Sequence, residues 1–444
     1  MLKMILVGNG KLITRDKNNP YYENGAVLLD KDKVKEVGNY KNLKNKYKDA
    51  DFLDAKGMVI MPGLINSHQH IYSAFARGLN MPGETPKDFL SILEKTWWHI
   101  DRNLDLENTY YSAVSTFLEC IRNGVTTVID HHASFGEIEN SLFEIARAAE
   151  ELSVRTCLSY EISDRDGNEK MKSSVKENMD FVHFAKEKNN SMIKALVGMH
   201  ASFTLSDETL NYCLEENNDK AGFHIHVAEG IYDAEHCRKN YNMSIVERLK
   251  KWDILGKNTI AAHCIHINEF DMDILKDTRT TVVHNPESNM GNAVGAPDVI
   301  KMLDKGILVG LGTDGYTNDM LESLKAANIL QKHRRGSADR GFSESTELLF
   351  ENNRKIASSI FKEDVGIIKP GAMADLIIVN YHPYTEMNTD NIDGHIMFGI
   401  NGSMTDTTII NGEVLMRGRE LCNIDEESLL NKCQLSANRL WSQL

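Results

Sequence analysis

The chain of 444 residues carries 50 Lys plus Arg against 64 Asp plus Glu, a formal net charge of −14. That balance argues against nucleic acid as a partner, because no basic face dominates. Hydrophobic residues make up 41% of the chain, which excludes global disorder, and no apolar run approaches the about 18–20 residues of a membrane-spanning helix.

Residues 1–56 read as short strands at 2–7, 11–14, 26–30 and 33–37, punctuated by Gly8, Asn19-Pro20 and Gly25, with a helical pattern only at 40–47. The apolar stretch at residues 4–7 is too short for a cleavable leader. From Val59 the texture changes. β-rich runs at 59–66, 126–131, 155–161, 193–200, 222–227, 259–263, 280–284 and 308–313 alternate with amphipathic helices, such as 107–123, 138–152, 174–188, 207–217 and 244–252. Eight such alternations predict an α/β chain with a (β/α)8 TIM barrel over residues 57–366. A doubly wound open sheet is the competing architecture, and the lack of a Gly-rich turn after the first strand speaks against it. Past residue 366 short strands return at 374–380, 407–411 and 413–417. The last two bracket Asn411-Gly412, a strong hairpin signal. Residues 1–56 and 367–444 together predict a small β-sandwich domain built from both termini, closed by a helix at 426–440. Seven Cys with no Cys-x-x-Cys pair predict a reduced, cytoplasmic protein without a zinc–thiolate site.

The 16 His are the one unusual entry in the composition. Five predicted strands end in His or an acid, at the rim where barrels of this kind place their active sites. The first ends in His68-Gln69-His70, and the period-two alternation of a strand puts both rings on one side, where they can share a metal ion. The fifth reads His224-Ile225-His226 with Glu229 three residues on, the sixth ends in His263, the seventh in His284 and the eighth in Thr313-Asp314. Any one of these has an ordinary explanation as a backbone-bonded His or a helix cap. Five segments placing such residues at the same rim do not.

These residues resemble the amidohydrolase superfamily, in its cyclic-amidine deaminase and triazine-hydrolase branch. The resemblance rests on Pro62-Gly63-Leu64-Ile65-Asn66 ahead of His68-x-His70, on His226 with Glu229, His263, His284-Asn285-Pro286-x-Ser288-Asn289 and Asp314, and on the tail run at 366–378. Within the branch, Trp97-Trp98-His99-Ile100-Asp101 and Asp130-His131-His132-Ala133-Ser134 are similar to the SsnA-type aminohydrolases. The resemblance implies that His68, His70, His226 and Asp314 bind one divalent metal ion, Zn²⁺ foremost with Fe²⁺ or Mn²⁺ also suited. It implies that Glu229 shuttles protons, that His263 orients the metal-activated hydroxide or polarises the attacked carbon, and that Asp314 both ligates and accepts a proton. His200 and Asp101 match substrate-contacting positions, and His284 a support position; His131-His132, directly after the second strand, are placed to touch substrate. Trp97-Trp98 read more naturally as helix core than as a wall of the site. The fourth strand ends in Met199-His200, with Lys194 at its start, so the bridging Lys of two-metal relatives is missing and one metal is expected.

The expected function is therefore that of a mononuclear aminohydrolase (deaminase). It would hydrolyse the exocyclic C–N bond of a purine-like or other cyclic amidine and release ammonia. A hydrolase of another leaving group on the same scaffold, a ring amide or an aryl chloride, is the alternative. A non-catalytic barrel is remote, since no ligand position is lost. The expected partner is a small heterocycle, not nucleic acid or a membrane. Homo-oligomers are common in the branch, but nothing in these residues sets an assembly state.

Overall fold

The computed structural model describes residues 4–444. The first strand, Ile5–Ile13, begins inside the expected 2–7 run, of which residues 2 and 3 lie outside the described residues. Both β-rich ends join one nine-stranded sheet. The tail strands Glu420–Leu421, Glu413–Arg417, Thr405–Ile410 and Leu376–Val379 lead to Val59–Pro62, then to Ile5–Ile13, Tyr21–Asp30 and Lys33–Asn39. Asp51–Asp54 pairs with Ile5–Ile13 in parallel. Val7, Leu12, Val27 and Leu29 from one wing meet Leu376, Ile378 and Ile409 from the other in a single apolar cluster, so the sheet folds over its own core. Each such buried aliphatic side chain contributes about 1.5–3 kcal/mol. At the hairpin, Asn411 (φ 52°) and Gly412 (φ 79°) both take left-handed backbone, as a two-residue type I′ turn requires. A Cβ on Gly412 would also fall 1.8 Å from the Lys31 carbonyl oxygen.

One expected element is divided. The apolar run 59–66 is not a single barrel strand. Val59–Pro62 pairs antiparallel with Leu376–Val379 in the terminal sheet, and Leu64–Gln69 is the first barrel strand. The break falls at Gly63, where a Cβ would lie 2.3 Å from the Thr126 side chain.

The barrel strands follow as Leu64–Gln69, Val125–Asp130, Arg155–Leu158, Ile193–Ala195 continued by Val197–Ala201, Phe223–Val227, Ile260–His263, Thr281–His284 and Val309–Leu311. They form two parallel arcs that meet inside the fourth strand: Ile193–Ala195 pairs with the third strand, Val197–Ala201 with the fifth. Across the first and eighth strands, the amides of Thr313 and Asp314 both donate to the His68 carbonyl at 3.0 Å. Gly312 permits this approach, since a Cβ there would meet His68 backbone at 2.8 Å. The expected helices appear, among them Leu106–Arg122, Ser141–Glu151, Asn168–Lys188, Asp207–Glu216, Ile245–Lys251 and Glu426–Trp441. Asp105 opens the first with a capping box, satisfying amides the helix itself leaves free.

Barrel and sheet are clamped by a fully buried ion pair. Arg155, at the start of the third strand, donates Nε and Nη2 to the Asp375 carboxylate at 2.8–3.1 Å. The same carboxylate accepts the Asn411 amide at 2.7 Å. All seven Cys are free. Among the described residues no helix is long and apolar enough to cross a membrane.

Candidate metal centre and active site

The ends of the first, fifth, sixth and eighth strands bring His68, His226, His263 and Asp314 together, with ligand atoms all within 4.8 Å of one another. His70, His131 and His226 form a second such group. His70 joins the two, its Nε2 lying 2.9 Å from Asp314 Oδ1 and 3.1 Å from His226 Nε2. The four expected ligands thus converge, and His263, expected only to orient the attacking oxygen, stands in the same cluster.

Each ring is fixed through its other nitrogen. His70 Nδ1 meets the His131 carbonyl at 2.6 Å, His226 Nδ1 the His200 carbonyl at 3.0 Å, and His263 Nδ1 the Asn289 Oδ1 at 2.9 Å. These acceptors require N–H at Nδ1, which leaves Nε2 of His226 and His263 as a bare lone pair, while Asp314 raises His70 to about 9 against its burial. His68 is held by a longer relay. Its Nδ1 lies 2.8 Å from His224 Nε2, His224 Nδ1 reaches Ser159 Oγ at 3.5 Å, and Ser159 donates to the Asp130 carbonyl. His68 Nε2 and His263 Nε2 are buried with no hydrogen-bond partner. An unpaired buried polar atom is costly, and two imidazole nitrogens beside a carboxylate form a donor set suited to Zn²⁺ and similar ions. The residues therefore fit a metal ion.

The backbone is strained where these side chains are aimed. Ala228 (φ 49°), His263 (φ 72°), Cys264 (φ 51°) and Asp314 (φ 56°) all take left-handed conformations. For residues other than Gly this costs on the order of 1–2 kcal/mol each. Four such positions at the ends of the fifth, sixth and eighth barrel strands turn the chain sharply at the rim. His263 and Asp314 face the cluster from two of these turns, and Ala228 delivers Glu229 from the third.

Electrostatics separate the roles. Burial lowers His68 to about 4 and His226 well below its ordinary value, so both rings are neutral. Burial alone would raise Asp314, but His70, His68 and His263 hold it well below the usual carboxylate range. Glu229 goes the other way. Burial, reinforced by Asp314, pushes it well above the ordinary value against a contact from Asn292. Its Oε2 lies 3.4 Å from His263 Nε2, while Oε1 is buried without a partner.

A cavity of about 750 Å³ opens over the cluster. His70, His226, Glu229 and Asp314 line its floor, and His200 and Asp101 its wall. His200 Nδ1 is 2.7 Å from Thr204 Oγ1, which itself donates to the Ala201 carbonyl, so His200 keeps Nε2 as an acceptor. Asp101 is gripped by Arg165 at 2.6 and 3.2 Å, and Arg165 also reaches Glu161 at 3.2 Å. Arg165 is buried against the site, whereas Arg77 and Arg340 pair with surface acids.

His131 is placed differently from expectation. It does not line the cavity. It lies behind the cluster, its ring centroid 4.5 Å from that of His226, with Nε2 at 3.0 Å from the Met199 carbonyl. Trp97 and Trp98 differ in the opposite sense. Both line the cavity, although Trp97 also packs against the main apolar core, and Trp98 stands 6.0 Å from His200 between ring centroids. A π-turn over Leu93–Trp97 shifts the helical register just before them. His224, Ser159 and Asn289 are the supporting residues that strand-end reasoning did not assign. The His224-x-His226 spacing, a copy of His68-x-His70, was a readable signal for the first of them.

The amidohydrolase family model matches residues 59–415. A 5-methylthioadenosine/S-adenosylhomocysteine deaminase of Pelotomaculum thermopropionicum is 31% identical over 443 residues, covering 98% of both chains. A 5′-deoxyadenosine deaminase of Methanosarcina acetivorans is likewise 31% identical over 446 residues, again covering 98% of each. Among solved structures, an adenosine deaminase from Xanthomonas campestris with bound zinc superposes with a TM-score of 0.86 at 18% identity, covering 99% of this chain and 98% of that one.

Proposed function

Since the chain belongs to the amidohydrolase family, we propose that it is a mononuclear metal-dependent aminohydrolase that removes the 6-amino group of an adenosine modified at its 5′ carbon. The observation that carries this is the convergence of bare His nitrogens and Asp314 with a buried, proton-holding Glu229 in one cavity. His68, His70, His226 and Asp314 would hold one divalent ion, and Zn²⁺ suits three neutral imidazoles with one carboxylate. Once bound, such an ion supplies a water acidic enough to ionise near neutral pH.

The side chains supply the rest. Glu229 takes the proton of the attacking water and returns it to the ring nitrogen beside the attacked carbon. Burial makes its carboxylate a stronger base toward that water, and its acid form persists near neutral pH to deliver the proton, which expulsion of an amine as ammonia demands. This favours deamination over loss of chloride, which needs no such proton. His263 holds the attacking oxygen against the ring carbon from the Glu229 side. Asp314, kept ionised by its His neighbours, accepts the second proton of the water and passes it to the departing amine, which leaves as ammonia. His200 offers an acceptor to the base, and Asp101, steadied by Arg165, takes the sugar hydroxyls. Phe89, Trp98, Phe203 and Tyr232 give the outer cavity an aromatic wall, which fits an apolar 5′ substituent.

Ammonia release from 5′-methylthioadenosine, 5′-deoxyadenosine, adenosine and guanine tests the reading. The two 5′-modified nucleosides are expected to exceed guanine in kcat/KM by at least about tenfold, with close to one divalent metal per chain. Guanine as the preferred substrate, or no ammonia from any adenosine, would overturn it.

A further inference from the structure

We propose that the opposite mouth of the barrel holds a second site, for a small oligophosphate. A cavity of about 430 Å³ sits at the N-terminal ends of the fourth to eighth strands, the end away from the imidazole cluster. Its size lies within the about 300–1,000 Å³ of small-molecule pockets. Six cations line it: Lys194, Lys220, Lys257, Lys276, Arg279 and Lys362. No Asp or Glu lines it. Among the described residues none of the six takes part in an ion pair, although Lys301, Lys305, Arg340 and many other surface cations of this acidic protein do.

Helix ends explain only part of this charge. Barrel helices finish at this face, and each C-terminus carries roughly half a negative charge. Five helices end around the mouth: Asp207–Glu216, Ile245–Lys251, Glu269–Thr278, Val299–Asp304 and Asn353–Phe361. Together they offset less than half of the six positive charges. Three of the cations, Lys220 (φ 52°), Arg279 (φ 58°) and Lys362 (φ 59°), also occupy left-handed backbone, where Gly is the residue without strain. Long charged side chains therefore stand at positions whose backbone disfavours them, around a concavity where they repel one another.

The chemistry of the lining selects the ligand. One phosphate satisfies two or three cations, whereas six call for several linked phosphates. Lys supplies mobile point charges on flexible stems, suited to a chain of phosphates without fixed geometry. Leu196, Ile260, Ile307 and Ile356 give an apolar floor against which an organic group can lie. The site is independent of what the other mouth binds.

The test is calorimetric titration of the metal-loaded protein at about 0.1 M salt. Inorganic tripolyphosphate and adenosine triphosphate are the two probes, and unchanged metal content is verified after each titration. One saturable site per chain is expected. In the triple variant Lys194→Gln, Lys257→Gln, Lys276→Gln binding should weaken by at least about tenfold, while the conservative pair Lys257→Arg, Lys276→Arg retains it and both variants keep the parent's melting temperature. Tighter binding of the nucleotide assigns the apolar floor to its base and sugar, and equal binding leaves a bare oligophosphate as the ligand. Absence of saturable binding of either probe below about 1 mM, equal affinity in the triple variant, or tighter binding of a single-stranded DNA oligonucleotide would each overturn the proposal.

Discussion

At the C-terminal ends of the barrel strands the polar side chains are buried, and the rings of His70, His226 and His263 are tied to fixed partners. At the N-terminal ends the side chains that stand out are cations, mostly exposed and without ion-pair partners. The difference follows from the cost of burying charge. Imidazole can go into the interior because burial simply leaves it neutral, as His68 and His226 show. An ammonium group resists that route, so a cationic site stays wet and adaptable. One mouth is preorganised for chemistry on a bound atom, and the other is suited to catching mobile charge. The one N-terminal cation that is fully buried, Arg155, makes the point by exception: Asp375 meets it with a bidentate grip.

The largest break in this contrast should come at the rigid mouth. His226→Ala is expected to abolish both metal retention and ammonia release. Glu229→Gln is expected to keep the metal and lose about 10²- to 10⁴-fold in kcat, the usual contribution of a proton-transfer group. Metal analysis beside steady-state assays separates the two, and near-parental kcat in the Glu229 variant would remove it from the proton path. A smaller effect, on stability, is expected where a cation is already satisfied. Arg155→Met leaves Asp375 buried without its partner and should cost about 3–5 kcal/mol in urea unfolding, while an ordinary exposed salt bridge is worth about 0–1 kcal/mol. The smallest effect is set by pH. Glu344, bonded by Arg340 and the Gly341 amide, falls to about 2 although burial opposes the shift. A carboxyl lowered on folding stabilises the protein above its unfolded value, and that gain is lost as pH falls toward the folded value. The stability gap between parent and Glu344→Gln should therefore be constant above about pH 5 and close between about pH 4.5 and 2.

Much of the catalytic mouth could be read from sequence because five of the barrel strands are short apolar runs that end in or beside a His or an acid. His68, His226, His263 and Asp314 announce themselves by position alone. The break between Val59–Pro62 and Leu64–Gln69 did not, because apolar residues on both sides of Pro62-Gly63 mask a change of sheet. His131 was misplaced for a related reason. A residue just past a strand end points either into the cavity or behind its neighbours, and only packing against His226 and Met199 decides which. Trp97 and Trp98 depended on a π-turn that leaves no clear mark in composition. The basic mouth was invisible altogether. Its six cations come from five separate stretches of the chain, and the overall charge has the opposite sign.

The terminal sheet has a consequence for synthesis. Val59–Pro62 finds its antiparallel neighbour only in Leu376–Val379, made roughly 300 residues later. At about 5–20 residues per second the ribosome needs on the order of tens of seconds to deliver it. Throughout that interval the nascent chain shows an open, apolar strand edge, a template for pairing with other chains. Chaperone demand and aggregation during expression should therefore track the completion of the tail more than the barrel's own stability. Chains released before residue 376 should be the aggregating species.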